Sequence, residues 1–288
     1  MPPKAEKKNN GFDRLRADLK AQTPQNVYLF YGEETYLRSY YLEELHRLLI
    51  PAGFEEFNYH RLSGKGLTVQ ELTEVTEAMP MMAQHTMVVV TDLDIFRLDE
   101  QQRTALMALL ADFYYNHPSA KLGVVGITGT KGKSSTAYYL KYIFDEYLAA
   151  KGQPASGVIS SIETYDGVEK FESHLTTPEP LDLERHFANG VATGMRYLTM
   201  EVSSQALKYD RVKNVEFAAA VFLNIGMDHI SPIEHPDFED YFASKLRIFS
   251  QAAAACVNLD CDHADRVLEA ARKLSLIHIS EPTRLLSI

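Results

Sequence analysis

The chain lacks tryptophan, and only two of its 288 residues are cysteine. Two cysteines are too few for a disulfide framework, so we expect a cytoplasmic protein. No apolar run approaches the roughly 18–20 residues that a membrane-spanning helix needs. The first residues also lack the apolar stretch of a signal peptide. We therefore expect no interaction with a membrane.

Positive charge is also scarce. Lysine and arginine together number 29, against 39 aspartate and glutamate residues, which gives a formal net charge of -10. A protein with this balance has no broad basic face, so we expect no direct binding to nucleic acid. The remaining composition is that of an ordinary globular protein. Hydrophobic residues make up 45% and charged residues 24%, which is enough for one large core or two small ones.

The first part of the chain alternates short apolar runs with amphipathic stretches, which predicts a parallel sheet covered by helices. Strands are predicted at 27–31, 57–62 and 87–90, and helices at 34–49, 68–78 and 99–112. Thr68 followed three residues later by Glu71 predicts a capping box at the start of the second helix. We assign residues 1–113 to this unit.

A second α/β unit begins with a predicted strand at 121–127, which runs into a glycine-rich turn and a helix at 134–150. Asp166-Gly167 between two alternating segments predicts a hairpin. Further strands are predicted at 197–202, 217–223 and 255–258, and further helices at 182–189 and 237–252. The predicted fold class is therefore α/β, with two successive parallel-sheet units.

The turn at 126–135 has the sequence GITGTKGKSS, and it follows a strand and opens a helix. Glycines let backbone N–H groups approach phosphates there, and the helix dipole favours an anion. Lys133 is placed to reach the β- and γ-phosphates, and the Ser134 hydroxyl to meet Mg²⁺. The strict motif has glycine where Ile127 stands, so the alternative is a glycine-rich turn without nucleotide.

Three further polar groups stand out in the second unit. Glu201 ends an apolar strand, where a carboxylate can hold a metal beside the loop. His229 follows Asp228 after another apolar strand, and Lys245 lies within a helix among aromatic and aliphatic residues. Taken singly, these residues are as compatible with a solvated carboxylate, a polar loop residue and a solvated lysine.

Together these pieces resemble the Mur ligase family. The matching segments, in chain order, are GITGTKGKSS at 126–135, LTTPEP at 175–180, MEVSSQAL at 200–207 with Arg211, NIGMDH at 224–229 and YFASK at 241–245. The resemblance implies that the second unit is a central ATP-binding domain with a fold like that of P-loop nucleotide hydrolases. We assign it residues 114–273, without the family's uridine-binding and carboxy-terminal domains.

The resemblance also implies roles for individual residues. ATP is expected to contact Gly129, Thr130, Lys131, Gly132, Lys133, Ser134 and Ser135. A UDP-N-acetylmuramoyl-peptide is expected to contact Thr176, Thr177, Ser203 and Arg211. Magnesium is expected to bind Ser134, Glu201 and His229. The catalytic group is expected to comprise Lys133, Glu201, His229 and Lys245, the last matching a lysine that the family carbamylates.

The implied reaction transfers a phosphoryl group from ATP to a peptide carboxylate, and the amine of an amino acid then displaces phosphate from the acyl phosphate. Negative charge developing on the phosphoryl oxygens needs Lys133 and Mg²⁺. Two anionic substrates repel each other, so Arg211 and metal ions must hold them together. We expect no turnover by the part present here, because the domains that complete and close the site are missing.

The first unit resembles the DNA polymerase III delta subunit over about residues 11–113. That family has an ATPase-like fold without a working phosphate loop, and the segment 32–35 here has no lysine to bind phosphate. The resemblance implies partners among sliding clamps and clamp-loader subunits. A non-catalytic clamp-loader subunit is therefore the second interpretation of the chain.

A third interpretation is a chimeric open reading frame with no function of its own. Residues 113–117 join the two units without a linker rich in proline, glycine or serine. In addition, LSLIHISEPTR at 274–284 resembles a translated sequencing adaptor, so we expect the tail at 274–288 to be artefactual. The first interpretation, a fragment of an ATP-dependent ligase of peptidoglycan precursors, is the one adopted here.

Overall fold

A computed structural model describes residues 11–228, 230–232 and 234–273. Packing divides the chain into two units, and the boundary in the sequence lies between Gln102 and Arg103. This division falls inside one helix, whereas the sequence places the domain boundary at residue 113. The assignment of domains by family stays a prediction.

The first unit contains four helices and a two-stranded parallel sheet in its described part. These are α1 (Gly11–Ala21), α2 (Thr35–Leu49), α3 (Glu55–Asn58), β1 (Tyr59–Ser63), α4 (Val69–Thr76) and β2 (Met87–Thr91). The strands pair in register from Tyr59 with Met87 to Ser63 with Thr91. A small core unites α1, α2 and β2 through Leu15, Leu45 and Val89.

The strand predicted at 27–31 is wrong. The segment is neither strand nor helix, and the described sheet of this unit contains β1 and β2 alone. Its side chains still alternate, because Tyr28 and Phe30 pack against the core while Leu29 and Tyr31 are exposed. The alternation of side chains therefore predicts which of them face the core, but it does not predict that the backbone pairs with another strand. The strand predicted at 57–62 also begins late, because α3 occupies residues up to Asn58.

The capping box at α4 is confirmed. The Glu71 amide donates to Thr68 Oγ1 at 3.1 Å, and the Thr68 amide donates to Glu71 Oε2 at 2.9 Å. Two N–H groups that the helix start leaves without intrahelical partners are thereby satisfied.

The second unit is built on a seven-stranded sheet. Its elements in chain order are α5 (Glu100–Tyr114), which begins before the unit boundary, β3 (Gly123–Thr128), α6 (Lys133–Ala149), β4 (Gly157–Ile159), β5 (Glu163–Tyr165), β6 (Lys170–Glu172), α7 (Pro180–Ala192), β7 (Tyr197–Glu201), α8 (Ser204–Lys208), β8 (Ala219–Phe222), α9 (Phe238–Leu246), β9 (Ala255–Val257) and α10 (Ala264–Arg272). Short 3₁₀ helices lie at Ser119–Lys121 and Arg247–Gln251.

The strand order in this sheet is β6-β5-β4-β7-β3-β8-β9. Five neighbouring strands from β4 to β9 are parallel, and β5 and β6 add an antiparallel edge. The central strand β3 is apolar on both faces, since Val124 joins one core cluster while Val125 and Ile127 join the other with α6. Burial on both faces explains its continuous hydrophobic run. The predicted parallel α/β fold of this unit is confirmed.

Two details differ from the sequence prediction. The helix expected at 237–252 ends at Leu246 and continues as the 3₁₀ turn, because Gln251 and Ala253 already exchange backbone hydrogen bonds with Phe217. The hairpin at Asp166-Gly167 is confirmed, with Gly167 at φ +91°. No described helix is both long and apolar enough to cross a bilayer.

Candidate nucleotide-binding site

The glycine-rich turn lies at the carboxyl edge of the sheet, between β3 and α6. Gly129 has φ +156°, and a Cβ there would lie 3.0 Å from Leu223 Cβ. Gly132 has φ +85° and immediately precedes α6. Both positions therefore require glycine, the first for close approach to the neighbouring strand and the second for a left-handed backbone at the helix start.

Asn224 fastens the turn to the end of β8. Its carbonyl accepts from the Thr130 amide at 3.1 Å. Its side-chain Oδ1 accepts from the Lys131 amide at 2.9 Å, and its Nδ2 donates to the Lys131 carbonyl at 3.0 Å. The sequence analysis assigns Asn224 no role of its own. Its position two residues after β8, beside the end of β3, is the signal that could have found it.

Two lysine side chains meet at one carbonyl of the turn. Lys133 Nζ lies 3.1 Å from the Gly129 oxygen, and Lys245 Nζ lies 3.0 Å from the same atom. Burial and the neighbouring Lys133 charge lower the pKa of Lys245 to about 7. Burial also lowers the pKa of Lys133, although Glu201 and Asp228 oppose that shift. Lys245 is only 2% exposed, so it is not a solvated surface lysine.

Glu201 faces the start of α6 through Ser161. The Ser161 amide and hydroxyl both donate to Glu201 Oε1, at 2.9 and 3.2 Å. The same hydroxyl lies 3.2 Å from Ser134 Oγ. Glu201 is buried at the end of β7 next to Ile127 of β3, so the strand register itself brings it to the turn. No local motif singled out Ser161.

Thr177 and Ser203 form the adjoining wall. Thr177 Oγ1 donates to the Glu201 carbonyl at 3.0 Å and accepts from the Ser203 amide at 3.1 Å. The Ser203 hydroxyl caps α8 by accepting from the Ala206 amide. Arg211 pairs with Glu179 at 3.0 Å, which places its guanidinium beside the segment that follows Thr177. The structure therefore brings the residues of two distant motifs to one wall.

Comparison with known proteins finds two family models, which overlap at residues 127–132. A family model described as the Mur ligase middle domain matches residues 127–283, more than half of the chain. The chain belongs to the Mur ligase family. A second model, described as the delta subunit of DNA polymerase III, matches residues 28–132. The resemblances seen in the sequence are thus confirmed for both parts, and the likeness of the tail to an adaptor stays a prediction.

Individual relatives are similar over somewhat more than half of the chain. A UDP-N-acetylmuramoyl-L-alanyl-D-glutamate–L-lysine ligase of Enterococcus faecalis is 42% identical over 179 residues, covering 61% of this chain and 35% of the relative. A UDP-N-acetylmuramyl-tripeptide synthetase of Bifidobacterium longum is 44% identical over 165 residues, covering 57% and 31%. The chain thus spans about a third of the length of these curated relatives.

Among solved structures, a UDP-N-acetylmuramoyl-L-alanyl-D-glutamate–2,6-diaminopimelate ligase is 20% identical. The match covers 80% of this chain and 49% of that chain, with a TM-score of 0.49.

Within the Mur ligase part, the remaining predicted residues have different surroundings. His229 lies outside the described residues, and Asp228 beside it acts electrostatically on both lysines. Lys131 and Ser135 are exposed at the turn, and Thr176 is half-buried. The hydroxyl of Ser134 and the carboxylate of Glu201 both contact the Ser161 hydroxyl, and hard oxygen donors of this kind suit Mg²⁺.

Proposed function

We propose that this chain carries the ATP-binding part of an amide ligase of peptidoglycan precursor synthesis. The proposed substrates are ATP, a UDP-N-acetylmuramoyl-peptide and an amino acid. The printed names of the relatives support the reaction class, because they are ligases and synthetases of such peptides. The observation that carries the proposal is the meeting of Lys133 and Lys245 at the Gly129 carbonyl, beside a buried strand-end carboxylate.

Positive charge at this turn suits phosphoryl transfer. The transferred group spreads negative charge over its oxygens, and fixed cations in a buried site stabilise that charge more than water does. Lys133 is held by the carbonyls of Gly129 and Thr130, at 3.1 and 3.4 Å, so its ammonium is already at the mouth of the loop. We assign it to the β- and γ-phosphates of ATP.

Magnesium is assigned to Ser134 and Glu201, with His229 as a further ligand that the family resemblance implies. When bound, the ion neutralises charge on the phosphate oxygens. The chain's own contribution is to orient the Glu201 carboxylate by two hydrogen bonds from Ser161.

The peptide substrate is assigned to the wall formed by Thr176, Thr177, Ser203 and Arg211. Arg211 is the cation of this group, and its partner Glu179 is half exposed, so an anionic substrate can compete for the guanidinium. Lys245 is assigned to carbamylation. A pKa of about 7 leaves much of its amine neutral at neutral pH, and a neutral amine can add CO₂ with release of one proton.

Nucleotide binding by the full chain tests the proposal. The free energy of unfolding of residues 103–273 should rise with Mg-ATP, by about 2.7 kcal/mol at a hundredfold excess over the dissociation constant. Lys133→Ala should remove most of this stabilisation, because the phosphates lose their cation. The control is Lys151→Ala, an exposed lysine just beyond the other end of α6. Equal ATP stabilisation of the parent and Lys133→Ala contradicts the proposal.

A further inference from the structure

A buried histidine outside the predicted site joins three elements around it. His235 is fully buried, and both of its ring nitrogens are engaged. Nδ1 lies 2.6 Å from Asp240 Oδ2 on α9, and Nε2 lies 3.0 Å from Ser204 Oγ on α8. The proposed ligase chemistry assigns no role to any of these three side chains.

The charge of Asp240 defines which nitrogen carries hydrogen. Partial burial opposes ionisation, but hydrogen bonds from Lys208 and His235 lower the pKa of Asp240 below its ordinary value. An ionised carboxylate can only accept, so His235 Nδ1–H donates to it. In the neutral imidazole Nε2 then accepts from the Ser204 hydroxyl. One tautomer therefore satisfies all three groups.

The order Ser204, His235, Asp240 is that of a hydrolase triad, but burial argues against such chemistry. Ser204 is only 4% exposed, and its hydroxyl is already committed to the histidine. A nucleophile must reach a substrate carbonyl, which a buried hydroxyl cannot do. The arrangement therefore acts by holding its own elements in place.

From His235 the packing continues to the phosphate loop through Tyr241. The two rings meet edge to face, with centroids 5.1 Å apart. The Tyr241 hydroxyl lies 3.1 Å from Thr130 Oγ1, which also accepts from the Gly226 amide at 3.0 Å. Lys245 Nζ lies 4.8 Å from the centroid of the Tyr241 ring. The Tyr241 side chain thus contacts the loop and the buried lysine, and Thr130 connects it to Gly226 after β8.

His235 also closes the loop that follows Asp228. The Ser231 amide donates to the His235 carbonyl at 2.9 Å, and the Glu234 amide donates to Ser231 Oγ at 3.1 Å. These hydrogen bonds hold the described residues Ser231 and Glu234 close to the His235 backbone. The first residues of this loop belong to the segment for which the family resemblance implies metal binding.

We propose that His235 is a positioning residue, which joins α8 to α9 and fixes Tyr241 so that the phosphate loop and Lys245 keep their places. The functional meaning of this role rests on the proposed ATP-dependent ligation, but the positioning itself is measurable without nucleotide. It predicts that loss of His235 loosens residues which it does not touch.

Hydrogen exchange of the full chain, followed by mass spectrometry, measures this loosening. In His235→Ala the amides of 129–132 and 224–228 should exchange about tenfold faster, the effect of one lost hydrogen bond. His235→Asn should restore part of the protection, because its amide nitrogen can replace Nδ1 as donor to Asp240. Unchanged exchange in both segments for His235→Ala overturns the proposal.

The matched control is a second buried histidine–aspartate pair in the same unit. His186 Nδ1 lies 2.6 Å from Asp166 Oδ2, and the histidine is 2% exposed. His186→Ala should lower thermal stability without raising exchange at 129–132. If it raises that exchange as much as His235→Ala does, the effect is general destabilisation and the proposal fails.

Tyr241→Phe tests the intermediate step. It removes the hydroxyl that reaches Thr130 but keeps the ring against His235, so exchange should rise at 129–132 and 224–228 and not at 230–236. The double variant with His235→Ala should add little more at 129–132, because both changes break one connection. If the increases in exchange at 129–132 from the two single changes simply add in the double variant, the proposed coupling between His235 and Tyr241 is wrong.

ATP binding separates this proposal from the proposed function. If the parent binds Mg-ATP, His235→Ala should raise its dissociation constant about tenfold, whereas His186→Ala should leave it unchanged. If the parent does not bind ATP, the proposed function fails, and the exchange measurements alone decide whether His235 positions the loop.

Discussion

Lys245 shows how one residue's surroundings change its chemistry. An exposed lysine is a cation at any physiological pH, but this one is enclosed on α9 with a second lysine nearby. Desolvation and like charge both disfavour the ammonium form. The sequence could indicate the position by family resemblance. The sequence could not indicate that Lys245 is buried, because a lysine beside an apolar helix face is equally compatible with a side chain that extends into solvent.

The lowered pKa of Lys245 makes stability depend on pH in a defined direction. In the unfolded chain this amine keeps a pKa near 10.5, whereas folding lowers it to about 7. Between these values the unfolded state binds more protons, so stability rises with pH over that range. We expect the urea midpoint of residues 103–273 in the parent to rise from pH 7 to pH 10 relative to Lys245→Met. Parallel pH profiles of the two proteins contradict this expectation.

The distant contacts that complete the site were not predictable, although Asn224 and Tyr241 each begin a segment that resembles the family. Ser161 reaches Ser134 across 27 positions, Asn224 reaches Lys131 across 93, and Tyr241 reaches Thr130 across 111. Each is an ordinary polar residue in its local sequence. The sheet order brings them together, and local pattern carries no information on that order.

At the scale of elements, predictions succeeded where a local interaction specifies the structure. The turn before α6 was predictable because glycines and a helix start define it, and α4 because its first residues cap themselves. The strand prediction at 27–31 was wrong because a strand requires a neighbouring strand to pair with, and the alternation of side chains does not show whether one exists.

The cap of α4 should carry measurable stability. Thr68→Ala removes the acceptor for the Glu71 amide, at a cost of about 1 kcal/mol in the free energy of opening of the helix. Hydrogen exchange of the α4 amides measures this cost. Thr73→Ala is the matched control, since Thr73 only bonds the Val69 carbonyl within the helix. Equal losses for the two variants would show that the cap contributes nothing special.

At the scale of the molecule, two family resemblances divide the chain between them and overlap at residues 127–132. The delta-subunit model and the Mur ligase model together cover residues 28–283, and packing divides the chain between Gln102 and Arg103. Helix α5 continues from there to Tyr114, with Leu106 and Leu109 buried. We propose that residues 1–113 form the delta-like domain and residues 114–273 the ligase domain.

Whether one gene encodes both parts is open to direct measurement. The chimera interpretation predicts that a single-molecule DNA read from the source, spanning codons 100–130, separates near codon 114. A continuous read contradicts it and makes a protein that joins a delta-like domain to ligase chemistry worth testing. The same read carried past codon 273 checks the expected artefactual tail.

The side chain of Asn224 has a consequence for how the turn can receive an anion. The Asn224 side chain accepts from the Lys131 amide and donates to the Lys131 carbonyl, as the backbone of a paired β-strand residue would. The Lys131 amide thereby already has an acceptor within the protein, and the Thr130 amide donates to the Asn224 backbone carbonyl. The first N–H groups of a helix have no partner inside the helix. We therefore expect a phosphate at this turn to be bound by the first N–H groups of α6, at 133–135, rather than by the amides of Thr130 and Lys131.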